Sequence, residues 1–249
     1  MQYALVNGKR SEPFKEAKGV CDLCKNCVTA KCGNIKVHHW AHARKEDCDN
    51  WWEPETPWHR DWKNLFQEEF REVPFFDSVT GEKHRADIHT DSGVTIEFQH
   101  SSLSVQEFEA RCIFYKKLIW VVDGSTFAKD FQIEGPTLSP NDFLLKDFEF
   151  KEGMFSRKSE LPNLRPYFQR ARDIKKERLS SSIENHEYFF SFRWQHARIC
   201  WFCKSATIFF DFGDSWLYWL KHRTQPFDIF WYLQRINKID FLNKYAKRK

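Results

Sequence analysis

Two segments of period-two alternation, Arg85-Ala-Asp-Ile-His-Thr90 and Val94-Thr-Ile-Glu-Phe-Gln99, flank the turn residues Asp91-Ser-Gly93, and no other stretch constrains the fold as much. Alternating apolar and polar residues mark half-buried strands, and a three-residue loop ending in glycine turns one strand back on the other. With that loop, Thr90 pairs with Val94, Ile88 with Ile96, Ala86 with Phe98, and Asp87 falls opposite Glu97. Opposed residues share one sheet face with β-carbons roughly 4.5 to 5.5 Å apart. Two acids therefore meet on the face opposite Ile88, Ile96 and Phe98, where like charges repel unless a cation bridges them. Magnesium or manganese suits such a pair, since magnesium takes one or two carboxylates and keeps its remaining positions for water and substrate phosphate.

The flanking sequence extends the hairpin into an α/β unit. Thr56-Pro57 reads as an N-cap followed by proline at the first helical position, and Trp58, Trp62, Phe66 and Phe70 then recur every fourth residue as a buried stripe. His59 and Lys63 lie four apart on a neighbouring face of that helix, and Glu55 lies just before it. After the hairpin, Ser104-Val-Gln-Glu107 is a capping box that opens a helix to about Lys117, and Leu118-Ile-Trp-Val-Val122 is a short buried strand. A strand, a crossover helix and another strand give a parallel pair, so the expectation is one mixed sheet.

The ordered set Glu55, His59, Lys63, then Arg85-x-Asp87, then Ile96-Glu-Phe-Gln-His-Ser101, then Arg111-x-x-x-Tyr115 resembles the competence protein CoiA family, as does His39-Trp-Ala-His42. Asp87 followed by Glu97-Phe98-Gln99 on the next strand is similar to the signature of the wider PD-(D/E)XK nucleases. The resemblance covers about residues 20 to 123. It implies a restriction-endonuclease-like core hydrolysing DNA phosphodiester bonds, with Asp87 and Glu97 holding Mg2+ or Mn2+ and acting in DNA uptake, recombination or defence against phage, alongside a protein partner of such a pathway. Glu55 would be an auxiliary acid, and Arg85, Arg111 and Tyr115 would contact nucleic acid. This chain departs from the superfamily at Gln99, which stands where a lysine activates water; an amide takes no proton. Gln99 is left to align water, with His59 or Lys63 supporting the phosphate.

Cys21, Cys24, Cys27, Cys32 and Cys48 crowd the first fifth of the chain beside His38, His39 and His42. A chain of 249 residues without a secretion signal has little need of disulfides, so these are thiols, and zinc takes four thiolate or imidazole ligands. Cys21, Cys24, His39 and His42 form the most familiar set, with Cys27, Cys32 and Cys48 as further donors that spacing leaves open. A closed set of four favours a structural zinc, and an iron–sulfur cluster, also held by cysteines, stays open. Cys200-x-x-Cys203 reads as buried free thiols.

A net charge of +4 excludes a bulk polycation, and the absence of a long apolar run excludes a membrane span, so the expectation is a cytoplasmic protein whose nucleic-acid contacts are local. The expected organisation is a zinc module at 1–52, a nuclease core at 53–135, and a mainly helical, aromatic and basic C-terminal extension at 136–249. There, Trp194, Trp201, Trp216, Trp219 and Trp231 stand among basic residues; an accessory core and a single-strand stacking platform both use that composition. Two other functions stay open: a nucleic-acid-binding scaffold with a degenerate site, and a nuclease centred on His38, His39 and His42.

Overall fold

The computed structural model describes residues 1–43, 48–51, 53–136, 148–151, 154–157, 188–224 and 229–247. The chain forms two compact units, Met1–Thr126 together with Lys238–Lys249, and Phe127–Asn237.

The first unit opens with an antiparallel sheet of β1 (Ala4–Val6), β2 (Lys9–Ser11), β3 (Lys18–Val20), β4 (Cys27–Lys31) and β5 (His39–His42), in the order β2-β1-β3-β4-β5. Its apolar side is small: Met1, Ala4, Ala17, Cys21, Val28 and Trp40. Gly19 lies 3.1 Å (at a virtual Cβ) from the Leu5 carbonyl, so a side chain there would press on β1. Helix α1 (Pro57–Asn64) follows, capped by Thr56, whose Oγ1 accepts from the His59 N–H while the Thr56 N–H donates to His59 Nδ1. The helix ends at Asn64, before the aromatic stripe does; Phe66 and Phe70 continue the buried face from a loop and a short 3-10 turn.

Strands β6 (Arg71–Phe76), β7 (Lys83–His89), β8 (Thr95–Gln99) and β9 (Leu118–Asp123) lie in the order β9-β8-β7-β6, with α2 (Val105–Tyr115) linking β8 to its parallel neighbour β9. The other neighbours are antiparallel, so the sheet is mixed. The hairpin has the register that the turn residues dictate, Ile88 opposite Ile96 and His89 opposite Thr95. Gly93 donates to the Thr90 carbonyl and takes φ +74°, a backbone conformation costly for most other residues. Phe98 stacks on Trp62 of α1 at 5.5 Å between ring centres, and burying a side chain of that size stabilises by about 3 kcal/mol.

The second unit corrects the expectation of a mainly helical C-terminal extension. Its described residues form an antiparallel sheet of β10 (Phe131–Pro136), β13 (Phe189–Trp194), β14 (Thr207–Asp211), β15 (Trp216–Thr224) and β16 (Ile229–Asn237), in the order β10-β13-β16-β15-β14. A further hairpin pairs β11 (Phe148–Lys151) with β12 (Met154–Arg157). Aromatic residues of this unit pack as strand side chains: Phe131 meets Trp194 at 5.2 Å and Phe210 at 5.6 Å. The helix-like segment Arg165 to Arg178 lies outside the described residues. Helix α3 (Lys238–Tyr245) belongs to the first unit, where Phe241 meets the edge of Trp62. Among the described residues, no helix is long and apolar enough to cross a membrane.

Candidate active site and metal centre

Beyond Ile88 the backbone ladder of the hairpin gives way to the two acids. The Asp87 N–H donates to Glu97 Oε1 at 3.2 Å, and the Phe98 N–H donates to Asp87 Oδ2 at 3.0 Å, so each carboxylate reaches across to the other strand. Asp87 is the more open, with 24% of its side chain exposed against 7% for Glu97. Both line a cavity of about 570 Å³ in the first unit. Burial pushes the Asp87 carboxyl above its usual range, with Lys63 pulling the other way. Burial, reinforced by the charge of Asp87, pushes Glu97 well above its range, and the Arg111 guanidinium 3.2 Å from Glu97 only partly opposes this.

Lys63 reaches from α1 into a ring of acids: Glu55 at 2.5 Å, Glu72 at 2.8 Å and Asp87 at 3.8 Å. Burial works against its charge, but Glu72, Glu55 and Asp87 outweigh that and hold Lys63 above its usual range. It is therefore a fixed cation and not a base. Glu72, which no sequence pattern marked, also accepts from the Gln2 and Tyr3 N–H groups, and Glu55 is gripped by Arg60 as well. For both acids burial raises the pKa, and the surrounding cations reverse it to a net lowering.

These lowered values have a consequence for acid stability. At Glu55 and Glu72 the unfolded chain takes up protons in a range where the folded chain does not, so their stabilisation is complete above the ordinary glutamate value and is lost as pH falls through the folded values. The melting temperature is expected to drop steeply below about pH 4.5. Glu72→Gln should flatten that slope in a pH series of thermal melts; an unchanged slope would show that Glu72 is not ionised in the fold.

Both ring nitrogens of His59 are engaged: Nδ1 accepts from Thr56, and Nε2–H donates to Glu53 Oε1 at 2.8 Å. Glu53, also unmarked in the sequence, gathers Gln99 Nε2 at 3.0 Å and the Ser101 hydroxyl. Gln99 is thus occupied in holding Glu53 and is not among the side chains that line the cavity, contrary to the expectation that it would align water there. Its Oε1 is buried without a partner. Arg111 spends its guanidinium on Glu97, Glu107 and the Trp51 carbonyl, and Tyr115 is a buried ring packed on Phe75 and Phe114. Arg85, expected to contact nucleic acid, is buried against Cys21 Sγ at 3.4 Å, Asp22 and the Glu72 carbonyl.

The same unit carries a cysteine and histidine cluster. Cys21, Cys24, His42 and Cys48 place one donor atom each within 4.8 Å of one another. Cys21 and Cys48 sulfurs stand 3.8 Å apart, which is about the edge of a tetrahedron with zinc–sulfur bonds of roughly 2.3 Å, and Cys24 Sγ lies 3.2 Å from His42 Nε2. The group could hold a metal such as zinc. Three thiolates on a divalent zinc would leave a net negative charge, which the Arg85 guanidinium beside Cys21 would offset. His39, expected among the ligands, stands outside the cluster with Nδ1 bonded to the Val37 carbonyl at 2.8 Å, and Cys48 takes its place. Cys27 is exposed and Cys32 half-buried, both outside the cluster.

Cys200 is buried and Cys203 half-buried, and neither forms a disulfide. Compared with family models, curated proteins and solved structures, the chain matches none of them.

Proposed function

We propose that the chain is a metal-dependent nuclease that hydrolyses DNA phosphodiester bonds, with Asp87 and Glu97 holding Mg2+ or Mn2+. The observation that carries this reading is the acid pair itself: two carboxylates on neighbouring strands, facing one cavity, with pKa values raised by burial and incompletely neutralised by Lys63 and Arg111. Such a pair is costly to keep without a cation. The divalent cation would supply charge for the phosphate oxygens and a more acidic bound water. Lys63, held by Glu55 and Glu72, contributes a fixed positive charge next to Asp87, and Arg111 orients Glu97. The ordered resemblance to the CoiA family adds support for DNA as substrate and for a setting in uptake, recombination or phage defence.

Purified protein is expected to cut linear, circular or single-stranded DNA when Mg2+ or Mn2+ is present. Asp87→Asn and Glu97→Gln should each slow cleavage by about a hundredfold, the usual scale for removing one electrostatic partner of a transition state. Gln99, an amide bonded to Glu53 and Ser101 where the superfamily has lysine, favours a second reading, a DNA-binding scaffold without catalysis. Metal-independent DNA binding with no cleavage in either metal would establish that second reading.

A further inference from the structure

We propose that His39 is the general base of this cavity, taking the proton from the water that attacks phosphorus; this rests on the nuclease reading above. Gln99 is an amide that takes no proton, is bonded to Glu53 and does not line the cavity, so it is not the base. Lys63 is held as a cation by three acids. Both nitrogens of His59 are engaged, and His42 belongs to the metal cluster. His39 lines the cavity with Glu53, Glu55, Lys63, Asp87 and Glu97. Its Nδ1 lies 2.8 Å from the Val37 carbonyl, which only accepts, so Nδ1 carries a hydrogen, and in the neutral ring Nε2 carries the lone pair.

The backbone around it is anchored on both sides. Arg60 of α1 donates to the His38 carbonyl at 3.0 Å, and the Trp40 N–H donates to the Met1 carbonyl at 2.9 Å. His39 is therefore half-buried on a fixed strand, with its basic nitrogen unclaimed by the hydrogen bonds that fix the ring. In the step assigned to it, Nε2 accepts a proton from water and the water oxygen bonds to phosphorus. The bond from phosphorus to the leaving sugar oxygen breaks, that oxygen takes a proton from solvent, and the imidazolium returns its proton to solvent.

The test is steady-state cleavage of DNA in Mn2+ by wild type, His39→Ala, His39→Gln and Asp87→Asn, each with and without added imidazole, with zinc content measured on the same samples. His39→Ala and His39→Gln should lower kcat by about a hundredfold while KM and zinc content stay unchanged. Imidazole should restore at least about tenfold of the His39→Ala rate and none of the Asp87→Asn rate. Wild-type rates in His39→Ala, a loss that imidazole leaves untouched, or a loss of zinc with His39 would each overturn the assignment while leaving Asp87 and Glu97 catalytic. If Asp87→Asn cuts like wild type, or wild type does not cut at all, the nuclease reading fails and the assignment falls with it.

Discussion

Replacing Cys48 by serine should strip the metal from the N-terminal sheet and unfold it, the largest effect expected of any single substitution in this chain. The strands β1 to β5 are three to five residues long, and their apolar side consists of six buried residues, two of them alanine. A core of that size gives little net stability, whereas structural zinc contributes about 10–16 kcal/mol in small zinc domains at neutral pH. Cys48 is the ligand that joins the cluster to the next segment: Asp49 beside it accepts from His84 and from the Arg85 N–H, and Trp51 stacks on His84 at 3.2 Å. Loss of the metal should therefore reach the cavity wall as well. Elemental analysis of purified protein should find one zinc per chain in wild type and in His39→Ala, and almost none in Cys48→Ser, with urea unfolding of the last shifted far downward. Full zinc in Cys48→Ser would remove Cys48 from the ligand set.

Lys63→Met is expected to destabilise the first unit by about 3–5 kcal/mol, the usual result of removing one partner from a buried ionic group. With 3% of its side chain exposed, Lys63 is set among Glu55, Glu72 and Asp87, and its loss takes a buried positive partner from all three carboxylates. Methionine fills much of the same volume, so the effect isolates charge from packing. Because the stranded acids can protonate, the gap between wild type and variant should narrow as pH falls, and denaturant titrations at two pH values measure both the gap and its narrowing. A variant as stable as wild type at neutral pH would mean that the acids are solvated.

The hairpin was legible because its information is local: period-two alternation, a three-residue turn and glycine at the position that needs positive φ dictate that Asp87 meets Glu97. Three of the four cluster residues were legible for the same reason, since Cys21, Cys24 and His42 follow familiar short spacings. The fourth, Cys48, was legible only as a further donor, because it stands apart from the two short pairs and spacing alone does not choose it over His39. Glu53 and Glu72 were invisible for a related reason. Each is an ordinary acid in sequence, and partners far along the chain complete its role, Ser101 for one and Gln2 for the other. The C-terminal half was expected to be mainly helical. In β15, however, Trp216, Leu217, Tyr218, Trp219 and Leu220 pair one by one with β16, and aromatic side chains suit the pleated surface.

The carboxylate pair is tested most directly by Mn2+ binding, followed by electron paramagnetic resonance on the zinc-loaded protein without DNA. Wild type is expected to bind one Mn2+ per chain beyond any background, and Asp87→Asn combined with Glu97→Gln to lose that ion while keeping its zinc. Equal Mn2+ binding by wild type and the double variant, or none by wild type, would contradict the assignment of Asp87 and Glu97 as metal ligands.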